Sequence, residues 1–63
     1  MAVLRTIENA TDPIKEIQKI SPVVIKVKIE GRDEIHVWTT HSHYKAIWVG
    51  PQTLNIYDLG LLE

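Results

Sequence analysis

The segment from residue 23 to residue 38, VVIKVKIEGRDEIHVW, decides the fold of this chain. Aliphatic residues at positions 23, 25, 27 and 29 alternate with mostly polar ones, and the alternation resumes at Ile35 and Val37 after the polar run around Gly31. A period of two places successive side chains on opposite faces of a strand. The segment therefore predicts a β-hairpin in which one face is buried.

The length of each turn, including that of the first hairpin, is predicted by requiring the aliphatic residues to lie on one face of the sheet. This criterion places the three loops at residues 31–33, 41–43 and 50–53. The cross-strand pairs that it predicts are Ile29 with Ile35, Val27 with Val37, Val37 with Ile47, Val49 with Leu54, and Lys45 with Asp58. Because the three turns agree with one another, we predict a four-stranded antiparallel meander.

A short helix is predicted just before the hairpin. Thr11 or Asp12 can cap it, and Pro13 suits its first turn, where a missing backbone N–H costs little. Isoleucines at positions 14, 17 and 20 form one apolar stripe. Ser21-Pro22 ends the helix, because the residue before a proline avoids the α region. Residues 1–10 fit either a helical stripe or a short edge strand, and we favour the strand.

The predicted fold class is α+β: a short helix packed on a four-stranded antiparallel meander, with an extra N-terminal edge strand as an option. A small SH3-like barrel is the alternative. The chain has 63 residues, so we expect a single small domain over residues 1–63. A domain of this size buries only about 60% of its unfolded surface and is marginally stable alone, which favours association.

The composition narrows the classes of protein further. The absence of cysteine excludes disulfides and thiolate metal sites and fits a reducing compartment, so we expect a cytoplasmic protein. The net charge of −1 does not indicate general electrostatic binding to nucleic acid. No apolar run approaches the roughly 20 residues of a membrane span, and no signal peptide is recognisable. We therefore expect no membrane partner.

The predicted register divides the sheet into two faces. One is aliphatic and is expected to lie beneath the helix as the core: Val23, Ile25, Val27, Ile29, Ile35, Val37, Ile47, Val49, Leu54 and Ile56. The other carries all four aromatic residues, and contiguous exposed apolar patches of this kind are uncommon on monomers. Trp and Tyr also dominate binding hot spots. The predicted partner-binding residues on this face are Lys26, Lys28, His36, Trp38, Tyr44, Trp48 and Tyr57.

Residues for catalysis or metal binding are scarce. His36, His41 and His43 form the only candidate metal-binding set, and the predicted register places His36 along a strand, too far from the two turn histidines for one ion. The serines and threonines lack a glycine-flanked elbow or a partnered acid. We predict no metal site, no cofactor and no enzymatic activity.

The function that follows is a non-enzymatic protein-interaction module: a regulator, adaptor or inhibitor. We expect it to bind a protein partner, or a second copy of itself as a homodimer, through the aromatic face of its sheet. The alternative is a protein that binds single-stranded nucleic acid by stacking bases on the Trp and Tyr rings. That alternative is less favoured, because only two lysines lie on the predicted face and tracking phosphates needs more.

Overall fold

The computed structural model describes residues 3–60, which form a five-stranded antiparallel sheet with one short helix. In chain order the elements are β1 (Arg5–Ile7), α1 (Pro13–Gln18), β2 (Val24–Ile29), β3 (Glu34–Thr39), β4 (His43–Trp48) and β5 (Leu54–Gly60). The structure is mostly β and is compatible with the predicted α+β class. Residues 1 and 2 of the predicted N-terminal strand lie outside the described residues.

The strand order β1-β5-β4-β3-β2 keeps the predicted meander from β2 to β5 and adds β1 beside β5. The N-terminal edge strand is thus confirmed, with Thr6 opposite Asn55. The predicted SH3-like barrel is wrong, because β1 and β2 lie at opposite edges and the sheet does not close. Within residues 3–60, no helix is long and apolar enough to cross a membrane.

Helix α1 begins where the sequence predicts. The Asp12 carboxylate accepts hydrogen bonds from the backbone N–H groups of Ile14 and Lys15, at 3.0 and 3.4 Å, and Pro13 occupies the first turn. The helix has only six residues and ends at Gln18, whereas the sequence predicted an end at Ser21-Pro22. So short a helix is not stable alone and depends on packing, which Ile17 supplies by being fully buried.

The helix lies in the connection that carries the chain from the β1 edge of the sheet to the β2 edge. Asn9 turns the chain after β1 with a φ of 60°, a left-handed conformation that asparagine tolerates better than most residues. Ala10 then donates its backbone N–H to the carbonyl of Gln52 at 2.9 Å, which ties this connection to the β4–β5 loop. As a result α1 covers one face of the sheet, called here the inner face.

The core lies between α1 and the inner face. Its fully buried members are Ala10, Ile17, Val37, Tyr44, Ala46, Leu54 and Ile56. Partly buried side chains packed around them are Ile7, Ile14, Ile20, Val24, Ile35 and Trp48. The predicted isoleucine stripe therefore does pack on the inner face, where α1 contacts β3, but it leaves most of β2 exposed.

The predicted register is correct at the first turn and wrong at the next two. Between β2 and β3, Ile29 lies opposite Ile35 and Val27 opposite Val37, as predicted. Between β3 and β4, Val37 lies opposite Tyr44, whereas the prediction paired it with Ile47. A shift of three residues turns every side chain of β4 to the other face.

Thr39 is the physical reason for the error at the second turn. Its buried hydroxyl accepts hydrogen bonds from the backbone N–H groups of His41 and Ser42, both at 3.1 Å, and donates to the Ser42 carbonyl at 3.0 Å. The Thr39 N–H also bonds to that carbonyl at 2.9 Å. These bonds close a tight loop at Thr40 and His41, in the manner of a Ser/Thr turn, and override the match of aliphatic residues.

The pairing of β4 with β5 also differs from the prediction, and this second difference returns the side chains of β5 to their predicted faces while those of β4 stay reversed. Trp48 lies opposite Leu54 and Tyr44 opposite Asp58, one residue away from the predicted pairing. Leu54 and Ile56 are therefore in the core, as predicted, while Ile47 faces away from it. Burial raises the pKa of Tyr44, and the nearby charge of Asp58 raises it further.

Candidate interaction surface

The structure divides the predicted partner-binding residues between two faces. Five of them lie together on the face opposite α1, called here the outer face: Lys26, Lys28, His36, Trp38 and Tyr57. Tyr44 and Trp48 do not, because β4 is turned over. Tyr44 is in the core at 1% exposure, and Trp48 packs against the core. The prediction of a single face with four aromatic rings is therefore wrong.

The turned strand brings His43 to the outer face, where sequence reasoning did not place it. His43 lies opposite Trp38, and the two rings stack with centroids 4.2 Å apart at an angle of 11°. Nε2 of His43 is 2.7 Å from Nδ1 of His36, whose Nε2 is 2.8 Å from a carboxylate oxygen of Glu34. The predicted separation of His36 from His43 is thus wrong, whereas His41 stays apart in the exposed turn.

This arrangement is a hydrogen-bonded chain of two imidazoles and one carboxylate. The donor in each of these two hydrogen bonds depends on the tautomer of the rings. The shared contacts fix the ring positions of His36 and Trp38 on the outer face. Among residues 3–60, no group of three or more His, Asp or Glu side chains is placed to hold a metal ion.

The lysines of the outer face lie near rings or carboxylates. The Lys26 ammonium is 4.9 Å from the Trp38 ring centroid, and Lys45 is 5.1 Å from that of Tyr57, both within the range of a cation–π contact. Lys28 forms an ion pair with Glu30 at 3.0 Å. A hydrogen bond from Lys28, together with its charge, lowers the pKa of Glu30.

Among residues 3–60, the two most exposed large hydrophobic side chains lie elsewhere, on β2. Ile29 is 74% exposed, Ile25 66% and Val27 40%, although the sequence predicted all three in the core. Val23 and Val49 are also exposed against prediction. The helix packs against β3 and leaves these side chains exposed, although Pro13 at its start borders a cleft with Ile29. Two signals in the sequence point this way: a stripe of only three isoleucines, and two lysines on a strand, which is typical of a sheet edge.

The backbone of β2 shows which of its hydrogen-bonding groups point outward. Glu30 donates its N–H to the carbonyl of Glu34 on β3 at 3.1 Å. Because bonding alternates along an antiparallel pair, Lys28 and Lys26 also bond toward β3, and the N–H and C=O groups of Val27 and Ile29 point away from the sheet. Among the described residues, no strand lies along that side of β2.

A cleft adjoins the inner-face side of this edge. It has a volume of about 150 Å³ and lies between the β2–β3 loop and the start of α1. Pro13, Ile29, Ile35 and Trp48 form its apolar walls, and Arg32 stands beside it. The edge of β2 thus combines outward hydrogen-bonding groups, exposed aliphatic side chains and an apolar recess.

Comparison with known proteins gives no relative: no family model matches the chain, and no curated protein or solved structure is significantly similar to it.

Proposed function

We propose that this protein is a small, non-enzymatic interaction module that binds an extended segment of another protein chain along β2. The observation that carries this proposal is the coincidence of outward backbone groups at Val27 and Ile29 with exposed aliphatic side chains on the same strand. Strand addition uses these two features together: main-chain hydrogen bonds supply affinity, and alternate side chains supply specificity. A regulator, adaptor or inhibitor acts by such binding.

The two sides of β2 define the chemistry of a suitable partner. On the inner side, Ile29 lines the apolar cleft and Val27 is exposed beside it on the same strand, so alternate partner residues should be aliphatic. On the outer side, Lys26 and Lys28 carry positive charge, so the intervening partner residues should be acidic. A segment in which aliphatic and acidic residues alternate satisfies both sides.

Single-stranded nucleic acid is the weaker candidate. Trp38 and Tyr57 remain on the outer face, each beside a lysine. However, Tyr44 and Trp48 have moved to the inner face, which leaves half of the predicted aromatic platform. The Trp38 ring is already stacked on His43. Stacking of successive bases needs several rings and a continuous positive groove.

A synthetic seven-residue peptide of alternating isoleucine and glutamate tests the proposal by isothermal titration calorimetry. Ile29→Lys should weaken its binding about tenfold or more, because the aliphatic contact of one side chain is lost. Val49→Lys is the matched control, since Val49 is 56% exposed but lies outside β2, and it should leave binding unchanged. The same peptide with N-methyl groups along the edge that faces β2 cannot donate main-chain hydrogen bonds to that strand, so it should not bind.

Two results would overturn the proposal. The first is peptide binding that Ile29→Lys leaves unchanged. The second is binding that Trp38→Ala abolishes while Ile29→Lys does not, which would assign the function to the outer face as the sequence predicted.

A further inference from the structure

We propose that β2 pairs with β2 of a second copy of this chain, antiparallel and centred on Lys28, so that two sheets join into one of ten strands. This inference rests on the proposed function, because it names the occupant of the same edge. It explains how the exposed aliphatic row of a small domain is covered. On the outer side the second copy offers one acidic residue, Glu30, beside two lysines, so it matches the preferred partner chemistry in part.

Symmetry limits the registers that two copies can use. A two-fold axis perpendicular to the sheet runs between the paired strands and keeps each face of the sheet on its own side. One residue of β2 then lies opposite its own copy. The pairing of β2 with β3 is irregular between Val24 and Lys26. In the regular part of β2 that follows, the available centres are Lys26, Val27, Lys28 and Ile29.

The register centred on Lys28 uses both the backbone and the charges. It places Val27 opposite Ile29 of the second copy, and Ile29 opposite its Val27. Both residues direct their N–H and C=O groups outward, so each of these pairs exchanges two hydrogen bonds. On the outer side, Lys26 lies opposite Glu30 of the second copy twice by symmetry, which gives two opposite-charge pairs.

The competing registers lose one of these features. A centre at Val27 sets Lys26 against Lys28 of the second copy twice, which is repulsive. A centre at Lys26 sets that lysine against itself and gives Glu30 no partner in the opposing strand. A centre at Ile29 places Val27 opposite Gly31, beyond the end of β2. The central Lys28 pair of the proposed register is eased by Glu30, 3.0 Å from Lys28 in the same chain.

The inner side of this register joins the aliphatic residues of both copies. Val27 and Ile29 of one chain meet the same residues of the other and form one apolar strip beside the two clefts. Pairing over so few residues buries less than the roughly 800 Å² per partner of standard stable interfaces. We therefore expect a dissociation constant in the micromolar range, and self-association that sedimentation detects only at such concentrations.

Cysteine scanning tests the register, because the native chain has no cysteine. In a pair that exchanges no hydrogen bonds, opposed Cα atoms are about 4.5 Å apart, which is within disulfide range. Lys28→Cys should therefore form disulfide-linked dimers at least about tenfold faster than Lys26→Cys or Glu30→Cys. Adding Ile29→Lys to Lys28→Cys should slow that oxidation, and adding Val49→Lys should not.

The charge prediction provides a second measurement whose sign depends on the register. Lys26→Glu faces Glu30 in the proposed register, so it should weaken dimerisation by several-fold in sedimentation equilibrium. If Lys26→Glu strengthens dimerisation, or if Val27→Cys or Ile29→Cys cross-links fastest, the register is different and the inference is overturned.

The outcomes also separate this inference from the proposed function. The chain could stay monomeric at high concentration, with no cysteine variant cross-linking, and still bind the isoleucine–glutamate peptide. That result contradicts only the inference that a second copy occupies the edge. Failure of both assays contradicts the proposed function itself.

Discussion

Replacing Ile17 by Ala should remove most of the stability of the folded chain. Ile17 is fully buried and is the central residue of the helical stripe that covers the inner face. Truncation of a buried isoleucine to alanine costs about 2–5 kcal/mol, through lost burial and the cavity that remains. A chain of this length has a free energy of unfolding of roughly 3–9 kcal/mol. The substitution should therefore reduce the free energy of unfolding by a large fraction.

The matched control is Ile25→Ala, the same chemical change at a side chain that is 66% exposed. It should alter the free energy of unfolding by less than about 0.5 kcal/mol, as surface substitutions do. Urea denaturation followed by far-UV circular dichroism measures both, with dilute protein so that association does not contribute. The reasoning fails if the two variants are equally destabilised, or if Ile17→Ala costs less than about 1 kcal/mol.

Two further predictions concern β4, whose faces the sequence predicted wrongly, and the turn that precedes it. The pKa of Tyr44 is raised, so the folded state holds the phenol proton more tightly than the unfolded state does. The resulting contribution to the free energy of unfolding is complete below pH 10 and is lost as the pH rises above 10. Alkaline denaturation should therefore be less steep in Tyr44→Phe. Thr39→Val keeps the shape of the side chain but removes the acceptor of the His41 and Ser42 N–H groups, so thermal melts should show the free energy of unfolding reduced by about 1–3 kcal/mol. The control Thr40→Val, at an exposed position, should show little change.

The parts of the fold that the sequence predicted correctly are those with strong local signals. Asp12 and Pro13 mark the start of α1, because a capping carboxylate and a proline in the first turn have few other uses. The first hairpin was correct because Gly31 and its polar neighbours separate two clear alternations. In both places, short-range chemistry and hydrophobic pattern agree.

The second hairpin was predicted wrongly because its two signals disagree. Matching aliphatic residues favoured Val37 opposite Ile47, while the Thr39 hydroxyl favours the tight turn that the structure shows. Keeping apolar residues on one face could not distinguish the two registers, because Tyr44 and Ala46 are as suited to a core as Ile47. The histidine contacts on the outer face were missed for the same reason.

The exposure of β2 could not be read from alternation alone. Val27 and Ile29 have the pattern of buried residues, and they do lie on the inner face. Whether they are covered depends on where α1 lies, and this six-residue helix packs against β3 and leaves both side chains exposed. The candidate site is therefore set by the size of the cover and not by the pattern of the strand.

Amide hydrogen exchange along β2 tests most directly the claim that its outer edge is the binding surface. In dilute protein, the N–H groups of Lys26 and Lys28 should exchange slowly because they bond to β3, while those of Val27 and Ile29 should exchange fast. Saturation with the isoleucine–glutamate peptide should slow exchange at Val27 and Ile29 to the level of their neighbours. Slow exchange at Val27 and Ile29 in the dilute protein, or new protection confined to β1 when the peptide binds, would contradict the account.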